Sequence, residues 1–290
     1  MDSRQHSTTS RLTRLVLFGL ASVALLAGAA QAADINSIDV FFNRGHVQNS
    51  NAGALLDNGA FMSSTVYAAS AGVFTGGSLT GPGSQGAVAL VPVSAAVLDF
   101  RSAHFGTLAA MDSAFGPGLY SYSLVSAGPP TPASLTVGPA LYAAAAPALT
   151  GTSYSRLQGM DANLPISLTF SPFATTLGAS DSFQFFTVFD FTLAQFVFEA
   201  TFLPASNAGI TLPALTLLPG RQYAFELNYD TRVYLPATVT NQINQVGFDM
   251  RTMGSFTTAV PEPAAWALML VGLAGLAGAG RVRRAIAPNG

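Results

Sequence analysis

Five carboxylates are the side chains of this sequence best placed to do chemistry, because they lie on or beside strand-like segments: Asp181, Asp190, Glu199, Glu226 and Asp230. Two such groups can hydrolyse a glycosidic bond, and the distance between them decides which mechanism is open. Sequence alone does not give that distance. Solvated strand faces account for most of these carboxylates more simply. We therefore predict no catalytic residues, with a secreted glycan-active hydrolase as the weaker alternative.

Metal and thiol chemistry have little support in the sequence. His46 and His104 are far apart and form no His-x-x-x-His pair, so we predict neither a metal site nor a cofactor. Asp57-Asn58-Gly59 offers calcium a loop carboxylate, but the repeated spacing of oxygen ligands that calcium loops show is missing. The chain has no cysteine, which excludes thiolate nucleophiles and disulfides.

The charge of the central part of the chain excludes one class of partner. Between residues 33 and 260, six arginines and no lysine face twelve carboxylates, which gives a net charge of about −6. Binding to nucleic acid phosphates needs a basic surface, so we predict no nucleic acid partner. This stretch is long enough for one large domain, and without disulfides its stability must come from burial.

The elements that position these side chains are predicted to be strands. Short strand candidates lie at 61–68, 87–93 and 97–105, and a long loop or an excursion from the sheet is predicted between Gly128 and Pro147. Alternating apolar residues predict two further strands, from Tyr223 to Tyr229 and from Val246 to Met250. Because no long amphipathic helix interrupts them, the predicted fold is mainly β, an antiparallel β-sandwich of jelly-roll type.

The strongest local pattern is a phenylalanine-rich segment, in which eight of the 21 phenylalanines fall between Asp181 and Leu203. Most of them fall into two sets that would point to opposite faces of a continuous strand. The first set is Phe183, Phe185, Phe189 and Phe191, and the second is Phe196, Phe198 and Phe202. A tight turn or bulge at Ala194-Gln195 would return both sets to one core. We predict that these rings are core, with an exposed aromatic platform as the alternative.

The N-terminal residues have the pattern of a secretory signal peptide. Three arginines precede an apolar segment from Leu15 to Gly28, and Ala30-Gln31-Ala32 supplies the small residues that signal peptidase requires. Cleavage after Ala32 would make Ala33 the first residue of the mature protein. The predicted organisation is therefore a signal helix at 1–32 and an exported β-rich body at 33–258.

The C-terminal residues have the pattern of a membrane span. Ala264 to Gly280 carries no charge, and as a helix it would extend about 26 Å, the lower limit for crossing a bilayer. Trp266 lies near the outer end, and three arginines follow the inner end, as cytoplasmic flanks do: Arg281, Arg283 and Arg284. We predict a transmembrane helix, ending in a short tail at 285–290.

Pro261-Glu262-Pro263, two residues, Trp266-Ala267, a Gly-rich apolar helix and the arginines together resemble the PEP-CTERM sorting domain in its PEPxxWA form, over residues 259–284. The same family is also labelled as the C-terminal domain of ice-binding proteins. The resemblance implies recognition of the Pro-Glu-Pro motif by an exosortase, a membrane-embedded enzyme of Gram-negative bacteria that occurs with exopolysaccharide and biofilm production. Ice binding is not carried over, because Thr-x-Thr repeats are missing.

Three classes of function fit these observations. A structural or adhesive component of the cell surface or extracellular matrix comes first, since it needs only export, a sorting tail and a non-catalytic body. A glycan-binding module is the second class, and the secreted hydrolase is the third. We expect the C-terminal helix to anchor the chain in the inner membrane before exosortase processing, after which the protein reaches the cell surface or the extracellular space.

Overall fold

The computed structural model of this chain describes residues 34–236, 240 and 242–260, of which 53% are in strands and 6% in helices. The predicted signal sequence, sorting motif and arginine cluster lie outside these residues. Thirteen strands and two short helices follow in order: β1 Ile35–Val47, β2 Leu56–Ala68, β3 Gly76–Thr80, β4 Ala87–Ser94, β5 Val97–Arg101, α1 Leu108–Phe115, β6 Gly118–Val125, β7 Thr131–Val137, α2 Ser153–Leu157, β8 Ile166–Thr169, β9 Asp181–Asp190, β10 Gln195–Pro204, β11 Gly209–Leu212, β12 Gln222–Leu235 and β13 Asn244–Thr257.

Eleven of these strands form one large sheet, in the order β10-β9-β12-β13-β1-β2-β5-β4-β3-β6-β7. β8 and β11 form a second, two-stranded sheet. Every neighbouring pair in the large sheet is antiparallel except β1 and β13, which run parallel from Asp39 opposite Gln245 to Val47 opposite Met253. The predicted mainly β class is confirmed, whereas the predicted all-antiparallel pairing is wrong for this pair.

The large sheet curls so that one end covers its middle. Tyr120 and Tyr122 of β6 belong to the same buried cluster as Phe42 of β1, although four strands separate β6 from β1 in the sheet order. The ring centroids of Phe42 and Tyr120 are 6.3 Å apart, and the hydroxyls of Ser64 and Tyr122 are 2.9 Å apart. This first core therefore lies between two parts of one sheet.

A second core lies between the large sheet and the two-stranded sheet. Leu168 of β8 and Leu212 of β11 pack with Phe186 of β9 and with Tyr223 and Phe225 of β12. The predicted alternation of β12 is confirmed, because its aromatic and leucine positions from Tyr223 to Tyr229 are all buried. In β13 the predicted apolar positions Val246, Phe248 and Met250 are buried, but the intervening Gly247 and Asp249 are buried as well.

The phenylalanine-rich segment departs from its predicted burial. In β9 the buried positions are Ser182, Gln184, Phe186, Val188 and Asp190, whereas the predicted core set has the opposite parity. Phe183, Phe185 and Phe189 share a face, as predicted, but each ring is only half-buried. The prediction that Phe189 is core is therefore wrong. The predicted turn is present, with Ala194 at φ 51 between β9 and β10.

Two loop predictions also need correction. Asp57-Asn58-Gly59 lies inside β2, where Asp57 Oδ1 accepts a hydrogen bond of 3.0 Å from the Gly59 N–H and Gly59 has φ 75. The predicted loop between Gly128 and Pro147 contains β7, which pairs with β6. Within the part of the chain that the structure describes, no helix is long and apolar enough to cross a membrane.

Candidate binding site on the open face of the sheet

One face of the central strands is not used by either core. We call it the open face: the side that carries Asp39, Phe41 and Asn43 of β1 and the residues paired with them in β2 and β13. The opposite side carries Val40 and Phe42, which belong to the first core. Because strand side chains alternate between faces, the open face receives the odd-numbered residues of β1 and β13 and the even-numbered residues of β12 that pair with them.

Two clefts lie end to end on the open face. The first, of about 410 Å³, is lined by Ser37 and Asp39 of β1, Tyr67 of β2, Tyr234 of β12 and Gln245 of β13. The second, of about 390 Å³, follows along β1, and its lining includes Phe41, Asn43, Asp99, Arg101 and Asp249. Asp39 and Phe41 are consecutive residues on this face, about 7 Å apart, so the clefts form one groove along β1.

A hydrogen-bonded network fixes the floor of the first cleft. Gln245 Nε2 donates to Asp39 Oδ2 at 2.5 Å, and Arg232 Nη1 donates to Gln245 Oε1 at 3.2 Å. Arg232 also donates from Nε to Asp230 Oδ2 at 2.7 Å. Burial raises the pKa of Asp39 above its ordinary value, although the hydrogen bond from Gln245 and the charge of Arg232 oppose this rise. Each planar group is therefore held in a defined orientation.

Asp230 and Asp249 form a buried carboxyl pair beside the second cleft. They are directly opposite each other on β12 and β13 and are only 2% and 9% exposed. Burial raises the pKa of Asp249 well above its ordinary value, and the negative charge of Asp230 and a hydrogen bond to it raise it further. The Oδ1 atoms of both residues lack a hydrogen-bond partner in the protein.

Aromatic side chains and guanidinium groups surround this pair. Arg101 and Arg251 place their Cζ atoms 4.0 Å and 4.7 Å from the centroid of the Phe61 ring. The Phe41 ring lies against Gly247, where a Cβ atom would approach its Cδ1 to 2.2 Å. A side chain at residue 247 would therefore displace Phe41 from the groove.

The structure does not bring the five predicted carboxylates together. Asp190 is buried at the β9–β10 turn, where it accepts hydrogen bonds from Thr192 and Leu193 N–H groups and pairs with Arg221 at 3.1 Å. Glu226 lies 3.8 Å from Arg251. Of the remaining three, Glu199 is exposed on β10, Asp181 begins β9 opposite Arg232, and Asp230 faces Asp249.

The one carboxyl pair that forms, Asp230 with Asp249, does not have the geometry of a glycosidase pair. A retaining enzyme separates its two carboxyls by about 5 Å, and an inverting enzyme by more, so that a sugar carbon or water fits between them. Here both residues are buried, their Oδ1 atoms do not contact solvent, and Asp230 is paired with Arg232 at 2.6 Å, so neither carboxyl is placed to meet a sugar ring or an attacking water. This arrangement is suited to sharing a proton between two strands.

His46 and His104 both pack against other residues of the protein. His46 is buried on β1, its Nδ1 lies 3.3 Å from the carbonyl oxygen of Arg251, and burial lowers its pKa. The His104 ring lies 5.1 Å from the Phe61 ring. Over residues 34–236 and 242–260, no three His, Asp or Glu side chains come close enough together to hold a metal ion.

The carboxyl pair makes a prediction about pH. In the unfolded chain Asp249 ionises near its ordinary pKa, whereas the folded protein holds its proton to higher pH, so stability falls as pH rises through the raised pKa. Asp249→Asn should therefore melt at a higher temperature than the wild type at pH 8, and the difference should shrink toward pH 4. Thermal melts followed by circular dichroism from pH 4 to pH 9 measure this.

Glu199→Gln is a matched control, because it removes the same charge from an exposed position on β10. It should leave the pH dependence of the melting temperature as in the wild type. Parallel curves for the wild type and Asp249→Asn would contradict the raised pKa of Asp249.

These observations define a β-rich body with two cores and an open, polar and aromatic sheet face. The C-terminal residues identify the class of protein, because residues 259–284 match the family model of the PEP-CTERM protein-sorting motif. The resemblance found in the sequence is thereby confirmed, and the chain is a PEP-CTERM protein, an exosortase substrate. The motif implies export and membrane-associated sorting toward the cell surface.

No curated protein matches this chain. Among solved structures, it is similar to the FN1–FN3 domains of chicken CNTN1, with 10% identity and a TM-score of 0.24 over 78% of this chain and 66% of that one. The BSP domain of a biofilm-associated protein gives 10% identity and a TM-score of 0.21 over 76% of this chain and 30% of that one. Trypsin-activated alpha-2-macroglobulin from Escherichia coli gives 8% identity and a TM-score of 0.23 over 78% of this chain and 16% of that one. The chain thus spans less than two thirds of each of these structures.

The groove residues escaped sequence analysis, although one signal for them was present. The sequence placed Gly247 within a strand, and a glycine in a strand often marks a close approach by another group. That group is the Phe41 ring. The predicted sorting, orientation and cleavage residues all lie outside the part of the chain that the structure describes.

Proposed function

We propose that this protein is a structural or adhesive component of the cell surface or extracellular matrix, delivered there through its PEP-CTERM signal. The observation that carries the proposal is the position of that signal. The matched residues begin at 259, two residues after β13 ends at Thr257. The sorting segment is therefore joined almost directly to a central strand of the large sheet, leaving the open face free to contact other matrix components.

The processing steps form part of the proposal. Signal peptidase removes residues 1–32, and the helix from Ala264 to Gly280 holds the chain in the inner membrane with Arg281, Arg283 and Arg284 on the cytoplasmic side. An exosortase then recognises Pro261, Glu262, Pro263 and Trp266. The mainly β body from 33 to 258 then reaches the cell surface in an exopolysaccharide and biofilm context.

A test of this function uses an exosortase-bearing host in which the gene for this protein is deleted. Cells that regain the wild-type gene should resist detachment under shear better than the deletion strain, because the protein contributes contacts between cells and matrix. Protease treatment of intact cells should remove the mature protein, and N-terminal sequencing of that protein should begin at Ala33.

A non-adhesive role would give a different result. If the protein is exposed at the surface but detachment is the same with and without it, the adhesive function is wrong. A sequence that begins at Met1 would contradict signal peptide removal alone.

A further inference from the structure

We infer that the groove along β1 binds a linear, uncharged oligosaccharide segment that lies parallel to the strand. This inference rests on the proposed function, because it names the kind of matrix component that the open face contacts. The groove comprises the two clefts described above, from Ser37 at one end to Asn43 at the other. Its floor and most of its rim belong to strands of the large sheet, and Gln242 and Ile243, just before β13, complete the rim of the first cleft.

The shape of the groove fits an extended chain. Six residue steps of β1 separate Ser37 from Asn43, which gives a floor about 20 Å long. β1 is hydrogen-bonded to β2 on one side and to β13 on the other, so the floor offers a peptide no free strand edge to pair with. Recognition in the groove must therefore come from side chains.

The polar side chains of the groove are suited to hydroxyl groups. Asp39 and Gln245 are held together at 2.5 Å, and Thr65 donates a hydrogen bond of 2.8 Å to Asp99 Oδ1. These hydrogen bonds hold the polar groups of Asp39, Gln245 and Asp99 in fixed positions along the groove, as recognition of a ring bearing several hydroxyls requires.

Aromatic rings supply the apolar part of the site. Tyr67 on β2 and Tyr234 on β12 are on opposite rims of the first cleft and are 37% and 39% exposed. In the second cleft, the half-buried Phe41 ring rests on Gly247. Tyrosine combines an apolar ring with a hydroxyl, so it can pack against the face of a sugar and also hydrogen-bond to it.

The charges of the groove select an uncharged ligand. Its lining contains three acidic side chains, Asp39, Asp99 and the proton-retaining Asp249, but only one guanidinium, that of Arg101. The nearby Arg232 is occupied by Asp230 at 2.6 Å. A polyanion would meet carboxylates without enough cations to pair with it, whereas a neutral saccharide requires no such pairing.

Titration calorimetry on the full chain in detergent micelles tests the inference, with cellohexaose, laminarihexaose and maltohexaose as neutral probes and hexagalacturonate as a charged one. We expect at least one neutral hexasaccharide to bind and hexagalacturonate to bind at least tenfold more weakly. Phe41→Ala should weaken binding of the neutral probe at least tenfold. Arg101→Gln, which changes an exposed side chain and preserves the fold, should weaken it several-fold.

Phe185→Ala is the matched control, because Phe185 is a half-buried phenylalanine of the open face that lines neither cleft. It should leave the affinity unchanged. The inference is overturned if no neutral probe binds, or if Phe41→Ala and Arg101→Gln bind as tightly as the wild type. Loss of saccharide binding with intact cell cohesion would reject the groove alone, whereas intact binding without any effect on cohesion would reject the adhesive function alone.

Discussion

Replacing Phe225 with alanine should lower the free energy of unfolding by about 3–5 kcal/mol. The Phe225 ring is fully buried in the second core and stacks on the Phe186 ring at a centroid distance of 6.2 Å. It also fills the space above Gly254, where a Cβ atom would come within 2.5 Å of its Cε1. Removing the ring leaves a cavity between two sheets that cannot close easily. Chemical denaturation followed by fluorescence or circular dichroism gives the free energy.

Phe189→Ala is the informative comparison for this prediction. Phe189 is a half-buried residue of the open face, with neighbours in the Phe191 and Phe196 rings at 5.7 Å and 5.4 Å. Because much of its side chain already meets water, the loss should be only about 1 kcal/mol. Equal losses for the two substitutions would show that the two faces of the sheet are buried to the same extent.

Replacing Pro261-Glu262-Pro263 by three alanines should stop processing of the chain without stopping its insertion. The apolar span and the three arginines that follow it remain, and the positive-inside bias keeps their orientation. The variant should accumulate in the inner membrane at its larger size, whereas deletion of residues 261–290 should release the body into the periplasm. Immunoblots of fractionated cells from an exosortase-bearing host measure both the size and the location.

A plain C-terminal anchor predicts a different pattern for the same blots. The wild type and the triple-alanine variant would then have equal sizes and would both remain in the inner membrane. A host without exosortase provides the control, because there the wild type should behave like the variant.

Local alternation was enough to predict the strands that build the second core. In β12 the apolar residues recur at every second position from Tyr223 to Tyr229, and nothing at the intervening positions competes for burial. Such a period of two is a property of the strand itself, so it can be predicted without knowing the partners. The mainly β class follows from the same kind of pattern.

β9 shows why such a pattern can fail. Its phenylalanines define one face correctly, but the buried face contains Gln184 and Asp190, both fully buried. Gln184 donates to the carbonyl oxygens of Ala205 and Asn207, and Asp190 pairs with Arg221. These partners come from segments outside β9 and satisfy the Gln184 N–H groups and the Asp190 carboxylate, which would otherwise favour water. The choice between the two faces was therefore made by tertiary contacts.

The groove depends on a pairing that local pattern cannot show. β1 and β13 lie side by side although their contacting residues, such as Ile38 and Asn244, are 206 positions apart. Asp39, Phe41 and Asn43 become neighbours of Gln245, Gly247 and Asp249 only through this pairing. The sequence identified the alternation from Val246 to Met250, but not that Gly247 and Asp249 of this segment share a face with Asp39, Phe41 and Asn43.

The same parallel pairing affects how the body would carry a mechanical load. β13 is hydrogen-bonded to β12 over fourteen residue pairs on one side and to β1 over nine on the other, and the chain leaves it toward the C-terminal segment. A pull from that end acts along the strand and loads the hydrogen bonds of both ladders together in shear. An edge strand pulled away sideways would instead lose its bonds one after another. A protein tethered through this central strand should therefore resist force better than one tethered through β7 or β10, which form the edges of the sheet.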